Sequence, residues 1–277
     1  MIPQPRKFSR LALFSRGTVS RVTVTRATAS LATFTLAPFT LAPFTLATLA
    51  LAALALFGAS ALQATEPTAR EIMQKVIDRD DGDNSTSDLE MILIDSKNNR
   101  RVRKMTSISK DKGKDSRQLL FFLEPADVKG TGFLTYDYAD EGKNDDQWLF
   151  LPALRKSKRI ASDDKSGSFM GSDFNYSDMT DPDLSKYEYK LVKEEEVNGQ
   201  KTWVIEAKPL SDETAEESGY SKSMTWVRQD NYVAIRGIRW VHKSRRLKYM
   251  QINKLEQIDD IWVATELQML TREGTKT

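Results

Sequence analysis

From residue 88 onward the sequence is a succession of short β-like runs, each closed by turn chemistry, and this pattern dictates how the chain must pair. The runs are 88–95, 100–109, 117–123, 132–138, 146–151 and 157–161, then 187–197, 201–208, 220–228, 232–241, 246–257 and 261–270. Between them stand Lys97-Asn98-Asn99, Lys112-Gly113, Asn198-Gly199, Asp230-Asn231 and Asp259-Asp260. Asn-Gly between two alternating runs is the strongest short hairpin signal. Links this short exclude parallel pairing, which needs long crossovers. The expected fold is mainly β with few helices (α+β), an antiparallel meander of about ten to twelve strands. One helix is legible: Pro67 precedes a run through Arg79 with Ile72, Val76 and Ile77 on one stripe, and Thr65 or Glu66 is expected near its cap.

The runs also predict faces. In 220–228, Tyr220, Met224 and Trp226 share one side and Ser221, Ser223 and Thr225 the other. In 261–269, Ile261, Val263, Thr265, Leu267 and Met269 oppose Glu266 and Gln268. Such alternation gives a sheet with one apolar and one wet face. A sheet this large must curl, and its apolar face needs a cover. The helix is too small to supply that cover alone.

The first 64 residues have a different character. They hold Arg6, Lys7, Arg10, Arg16, Arg21 and Arg26 and no acid, and 46–57 contains only Leu, Ala, Thr and Phe. Five-residue near-repeats run through 30–49. A basic start, an apolar stretch and small residues at Ala59, Ala61 and Ala64 match an export signal cleaved near Ala61 or Ala64. The expected division is 1–64 as targeting region and 65–277 as one folded domain in the periplasm. Retention of the N-terminal segment as an anchor is the alternative. Past residue 64, 35 Lys and Arg face 39 Asp and Glu, a net charge of −4. That balance argues against a nucleic-acid partner. With no Cys and a single His, thiolate chemistry and multi-His metal sites are excluded, and no cofactor or metal is expected.

Residues 162–185 contain no convincing strand, and a loop of this length is characteristic of a lid or binding loop. Phe169, Met170, Phe174, Tyr176 and Met179 concentrate there. Ordinary core packing is one reading; a movable cover over an apolar cavity is the sharper one. On that second reading Phe133, Trp148, Phe150 and Trp226, all in strands, are further candidates to line the cavity. Arg155, Lys156, Lys158 and Arg159 make a cationic run suited to anionic head groups or an acidic partner, or simply to a solvated strand face. Asp80-Asp81-Gly82-Asp83 lacks the spacing of a calcium loop. Asp145 and Asp146 point oppositely on a strand, and His242 falls at a hairpin end, so no catalytic set assembles.

Particular motifs resemble a known family. Leu123-Glu124-Pro125-Ala126-Asp127 running on to Gly132-Phe133-Leu134, then Trp148-Leu149-Phe150-Leu151-Pro152, Arg159-Ile160, Ser168-Phe169-Met170-Gly171-Ser172-Asp173-Phe174 with Tyr176, and Met224-Thr225-Trp226-Val227 through Met269-Leu270-Thr271 are similar to the outer-membrane lipoprotein-sorting (LolA-like) proteins. These are found beside transporters of the resistance-nodulation-division type. The resemblance spans 67–277. It implies a curved antiparallel half-barrel of about 11 strands with a helical lid over a cavity for acyl chains. It also implies a non-enzymatic periplasmic carrier of lipoproteins or lipids, whose partners are an inner-membrane transporter and an outer-membrane acceptor. A lipid-sensing module acting on a membrane protein is the alternative. Family members run on past residue 277, so 261–270 is expected to be left as an open edge and the chain to be truncated. N-terminal sequencing of the exported protein is expected to give a start at Leu62 or Thr65; finding residues 30–50 still attached would establish the anchor instead.

Overall fold

The computed structural model describes residues 66–82 and 84–273, together with the backbone of the strand Lys7–Phe14; the cleavage positions Ala61 and Ala64 and residues 274–277 lie outside them. After β1 (Lys7–Phe14) and α1 (Ala69–Ile77) come β2 (Asn84–Ile94), β3 (Arg100–Lys112), β4 (Asp115–Glu124), β5 (Gly132–Asp137), β6 (Asp146–Leu151) and β7 (Lys156–Arg159). Five short 3-10 turns lie between residues 152 and 186, the first between β6 and β7 and the other four after β7. The second half is β8 (Tyr187–Val197), β9 (Gln200–Pro209), α2 (Asp212–Ser218), β10 (Tyr220–Arg228), β11 (Ala234–Val241), β12 (Arg246–Ile258) and β13 (Ile261–Glu273).

Every β-run expected from residue 88 on is a strand. β2–β7 and β8–β13 form two antiparallel six-stranded meanders, and the assembly does not close, with β7 and β8 as its free edges. Asn198 and Gly199 take the positive φ values (52° and 78°) that their hairpin requires. The edge of β13 expected to be open is paired in parallel with β1, which also pairs in parallel with β2. β1 belongs to the segment assigned to export; cleavage near Ala61 or Ala64 would leave β2 and β13 as facing edges.

Each half has its own core. Met91, Met105, Leu120, Phe122, Phe133, Leu149 and Ile160 form the first, and Phe169 from the 162–185 segment joins it. In the second, α1 lays Ala69, Ile72 and Met73 against Leu184, Ile205 and Val227. The α1 cap is Thr68, not Thr65 or Glu66: its hydroxyl accepts from the Glu71 amide at 3.3 Å while the Glu71 carboxylate accepts from the Thr68 amide at 2.7 Å. α2 was not legible as a helix. Ser211 caps it and Gly219 ends it at φ 80°. A Cβ on Gly219 would lie 2.7 Å from Asn175 Nδ2 and 2.9 Å from Ser166 Cβ, so glycine lets the 162–185 segment come down onto this corner.

One expected face is corrected. Pairing slips between Tyr220 and Lys222, a bulge at Ser221 that reverses Tyr220 relative to the rest of β10. Val227 and Thr225, paired with Trp203 and Ile205, face the α1 core, while Trp226, paired with Val204, faces away from it.

Candidate functional site

The 162–185 segment is the cover that the sheet needs, and it has a fixed part and a lighter part. The fixed part is residues 175–178. Asn175 is buried and its amide oxygen accepts from Lys248 Nζ at 2.6 Å, while its Nδ2 donates to the Ser218 carbonyl at 3.2 Å. Ser177 donates to the same carbonyl at 2.7 Å. The buried Asp178 carboxylate accepts from the Asn175 amide and the Tyr220 hydroxyl, each at 2.8 Å, and pairs with Arg239. Burial, and then the Asp178 charge, push the Tyr220 phenol up, so it remains a donor. From the first half, Gln147 Nε2 donates to the Tyr176 carbonyl at 2.9 Å. The segment is thus bonded to both meanders.

The lighter part is the hairpin tip. The Phe169 amide donates to the Phe174 carbonyl at 2.7 Å, and Met170 and Gly171 turn the chain with φ of 49° and 74°. Two side-chain bonds tie the tip to the sheet: Arg103 Nη1 donates to the Met170 carbonyl at 2.5 Å, and Thr271 Oγ1 donates to Asp173 Oδ1 at 2.6 Å. Under the tip lies a cavity of about 170 Å³, lined by Met91 to Ile94 of β2, Asp95 and Arg101, Gly171 to Phe174 and Met269 of β13. Its walls mix the apolar side chains of Met91, Leu93, Phe174 and Met269 with the charged groups Asp95, Arg101 and Asp173. It sits where the first and second meanders meet.

The residues expected to form the cover separate into roles. Phe133, Phe169 and Tyr176 form a triad with ring centroids 5.0, 5.7 and 5.6 Å apart, and Phe133 and Phe169 are fully buried. They are core. Phe174 lines the cavity, and Met170 packs on the core edge beside it. Trp148 and Phe150 are on the opposite face of β6 from the buried Gln147 and Leu149; Trp148 meets Tyr136 edge-on at 5.3 Å and Phe150 is exposed. Trp226 packs beneath Arg236, whose guanidinium lies 5.2 Å from the ring centroid, away from the cavity. In the cationic run, Arg159 bonds Asp146 (Nε to Oδ1, 2.8 Å) and Lys158 pairs with Asp164 at 3.1 Å. Arg155 and Lys156 have no carboxylate partner among the described residues.

Arg101 and Arg103 were not singled out from the sequence, although alternation in 100–109 places both on the side of the buried Met105 and Ser107. His242 does sit in the β11–β12 turn, with Nε2 3.2 Å from Asp212 Oδ1. Asp212, Glu216 and His242 could converge on a cation, but Lys243 already pairs with both carboxylates. Asp145 and Asp146 diverge as expected, one accepting from the Tyr138 amide and the other from Arg159.

An open β-shell with a bonded cover over a small cavity is a carrier-type fold. Comparison with known proteins agrees. A domain from Vibrio parahaemolyticus described as an outer membrane lipoprotein-sorting protein is 34% identical, with 73% of this chain and 85% of that one covered and a TM-score of 0.66. A DUF1329 family protein from Desulfovibrio piger is 31% identical over 71% of this chain and 82% of its own, with a TM-score of 0.64. A LolA superfamily protein from Nitrosomonas europaea, 19% identical over 74% and 86% with a TM-score of 0.56, shares the fold. A family model described as "-like: Uncharacterized protein" matches residues 114–277, and no curated protein matches. The chain belongs to the outer membrane lipoprotein-sorting family, and its fold is LolA-like.

Two outcomes follow from this geometry. Phe169→Ala is expected to cost about 3–5 kcal/mol, as for any fully buried Phe. Phe174→Ala should cost about 1–2 kcal/mol while clearly changing affinity for a fluorescent apolar probe. Denaturant unfolding and probe titration on both variants check this, and a large stability loss at Phe174 with unchanged probe affinity would sink the cover reading. The second outcome concerns pH. Burial, and next the charge of Asp145, push the Asp137 carboxyl up to about 7, against the Asp181 amide that donates to it at 2.8 Å. Unfolded, the group titrates near ~4. Between these values the unfolded chain is ionised while the folded chain keeps its proton. The contribution to stability is therefore full below about pH 4 and lost as pH rises through about 7. The unfolding midpoint in denaturant should fall across that window, and Asp137→Asn should flatten the fall.

Proposed function

We propose that the protein is a non-enzymatic periplasmic carrier that holds acyl chains of lipoproteins or lipids beneath the 170–174 tip. The observation that carries this reading is the cavity at the junction of the two meanders, where Met91, Leu93, Phe174 and Met269 meet under a tip tied to the sheet, among the described residues, by the Arg103 and Thr271 bonds. At about 170 Å³ it is smaller than the ~300–1,000 Å³ of typical ligand sites. Loading therefore requires the tip to lift. Membership of a lipoprotein-sorting family supports an acylated cargo. Among the described residues no helix is long and apolar enough to cross a membrane, which is compatible with a carrier moving between an inner-membrane transporter and an outer-membrane acceptor.

The test is direct. Mass spectrometry of the purified protein should find co-purifying acylated molecules, and the loaded protein should pass them from donor to acceptor vesicles. Binding without transfer would favour the lipid-sensing alternative. No acylated ligand, together with no effect of Phe174→Ala on an apolar probe, would overturn both.

A further inference from the structure

The face of β2–β7 turned away from the core should be polar, since in an antiparallel sheet the uncovered side meets water. At one end it is not. Phe121 and Phe150 flank Gly132 across β4, β5 and β6, and a Cβ on that glycine would lie 3.9 Å from the Phe121 ring and 3.8 Å from Phe150 Cβ. The two rings are 41% and 39% exposed over this glycine floor. Leu123, the extra residue where the β3–β4 register shifts, adds a third apolar side chain at 40%. The turn Pro152–Leu154 closes the same end: Pro152 lies 3.6 Å from where a Gly130 Cβ would stand, and Leu154 projects with 63% of its surface exposed. Scattered exposed leucines need no explanation, but a contiguous patch with a projecting tip does.

The charges around this end are one-sided. Lys104, Lys129, Arg155 and Lys156 stand against Glu124 and Asp127, while Arg103 points to the core side and reaches Asp127 only electrostatically. Glu124 is bonded by Lys104 at 2.8 Å, and Asp127 interacts with Arg103. Arg155 and Lys156, directly after the apolar tip, are left with no carboxylate partner among the described residues. Protection of the β7 edge explains charged residues such as Lys158 and Arg159. It does not explain Leu154.

We propose that this corner is a docking surface for an anionic lipid bilayer: Leu154 and the Phe121–Leu123–Phe150 patch enter the headgroup boundary while Arg155 and Lys156 meet lipid phosphates. Apolar side chains with adjacent unpaired cations are the chemistry that an anionic interface selects. The patch is distinct from the cavity, so the proposal holds whatever the cavity carries.

The protein as purified should co-sediment with phosphatidylglycerol-containing vesicles, much less with pure phosphatidylcholine, and less as salt rises. Leu154→Asp, and separately Arg155→Asn with Lys156→Gln, should each lower the partition coefficient by roughly tenfold. Asn suits the left-handed φ of 49° at position 155, so an unchanged thermal midpoint is expected and separates lost binding from lost folding. Failure of the unaltered protein to bind anionic vesicles, or equal binding by the variants, would overturn the proposal. So would light scattering that shows a dimer abolished by Leu154→Asp without vesicle binding, which would assign the patch to a second copy of the chain. Because no cargo takes part, failure here leaves the carrier reading standing, and failure of the carrier reading leaves this one.

Discussion

Everything in this structure answers to one constraint: twelve consecutive antiparallel strands make an apolar face that no second sheet covers. A dry sandwich would split such strands into two facing sheets. Here they run in sequential order through two meanders that stay open, with β7 and β8 as free edges. The apolar face must then be shielded by the remaining chain, which is short. α1 shields the second meander and the 162–185 segment the first. Cavity and cover are consequences of this shortage.

The cover is not anchored by apolar packing alone, because it crosses from one meander to the other while its backbone bonds, such as Tyr176 to Gly167 and Ser177 to Lys165, close within the segment and tie it to neither. Polar contacts do that work. Lys248, Arg239, Tyr220 and the Ser218 carbonyl converge on Asn175, Ser177 and Asp178, and every one of those three side chains is bonded. Fully satisfied buried networks fix a single arrangement, and removing one partner is costly. The segment is therefore held where it crosses, and the freedom that remains is confined to the tip around Met170 and Gly171.

Much of this was legible in the sequence, and the parts that were not have identifiable reasons. Turn pairs such as Asn198-Gly199 gave strand order because short links leave no alternative. α1 was found by its apolar stripe, yet its start was misplaced because the Thr68 to Glu71 capping box was passed over. α2 has seven residues and buries only Thr214 and Ala215, too little to show periodicity. Alternation groups side chains by face without saying which face is covered, so Trp148 and Phe150 were assigned to a cavity they do not reach. A bulge at Ser221, which leaves no trace in the residue pattern, puts Tyr220 and Trp226 on opposite faces, so the expected grouping of the two does not hold. The anchor was out of reach altogether: Tyr220, Arg239 and Lys248 find their partners 42, 61 and 73 residues away.

The division between anchor and tip also bears on how cargo could enter. A ligand shifts a conformational equilibrium only by its differential affinity for the two states. Lifting the tip breaks the Arg103 and Thr271 bonds, each worth about 0.5–1.5 kcal/mol net and more where a charge takes part, and exposes Phe174 and Met170. Each methylene of an acyl chain that leaves water returns about 0.8 kcal/mol, so eight return about 6 kcal/mol, enough to hold the tip open. The same gain does not cover the cost of opening the Asp178–Arg239–Tyr220 and Asn175–Lys248 contacts, where an unpaired buried charge alone costs about 3–5 kcal/mol and several groups would be stranded together. On the proposed carrier reading, cargo has the energy to move the tip around Met170 and Gly171 and not the anchor at 175–178.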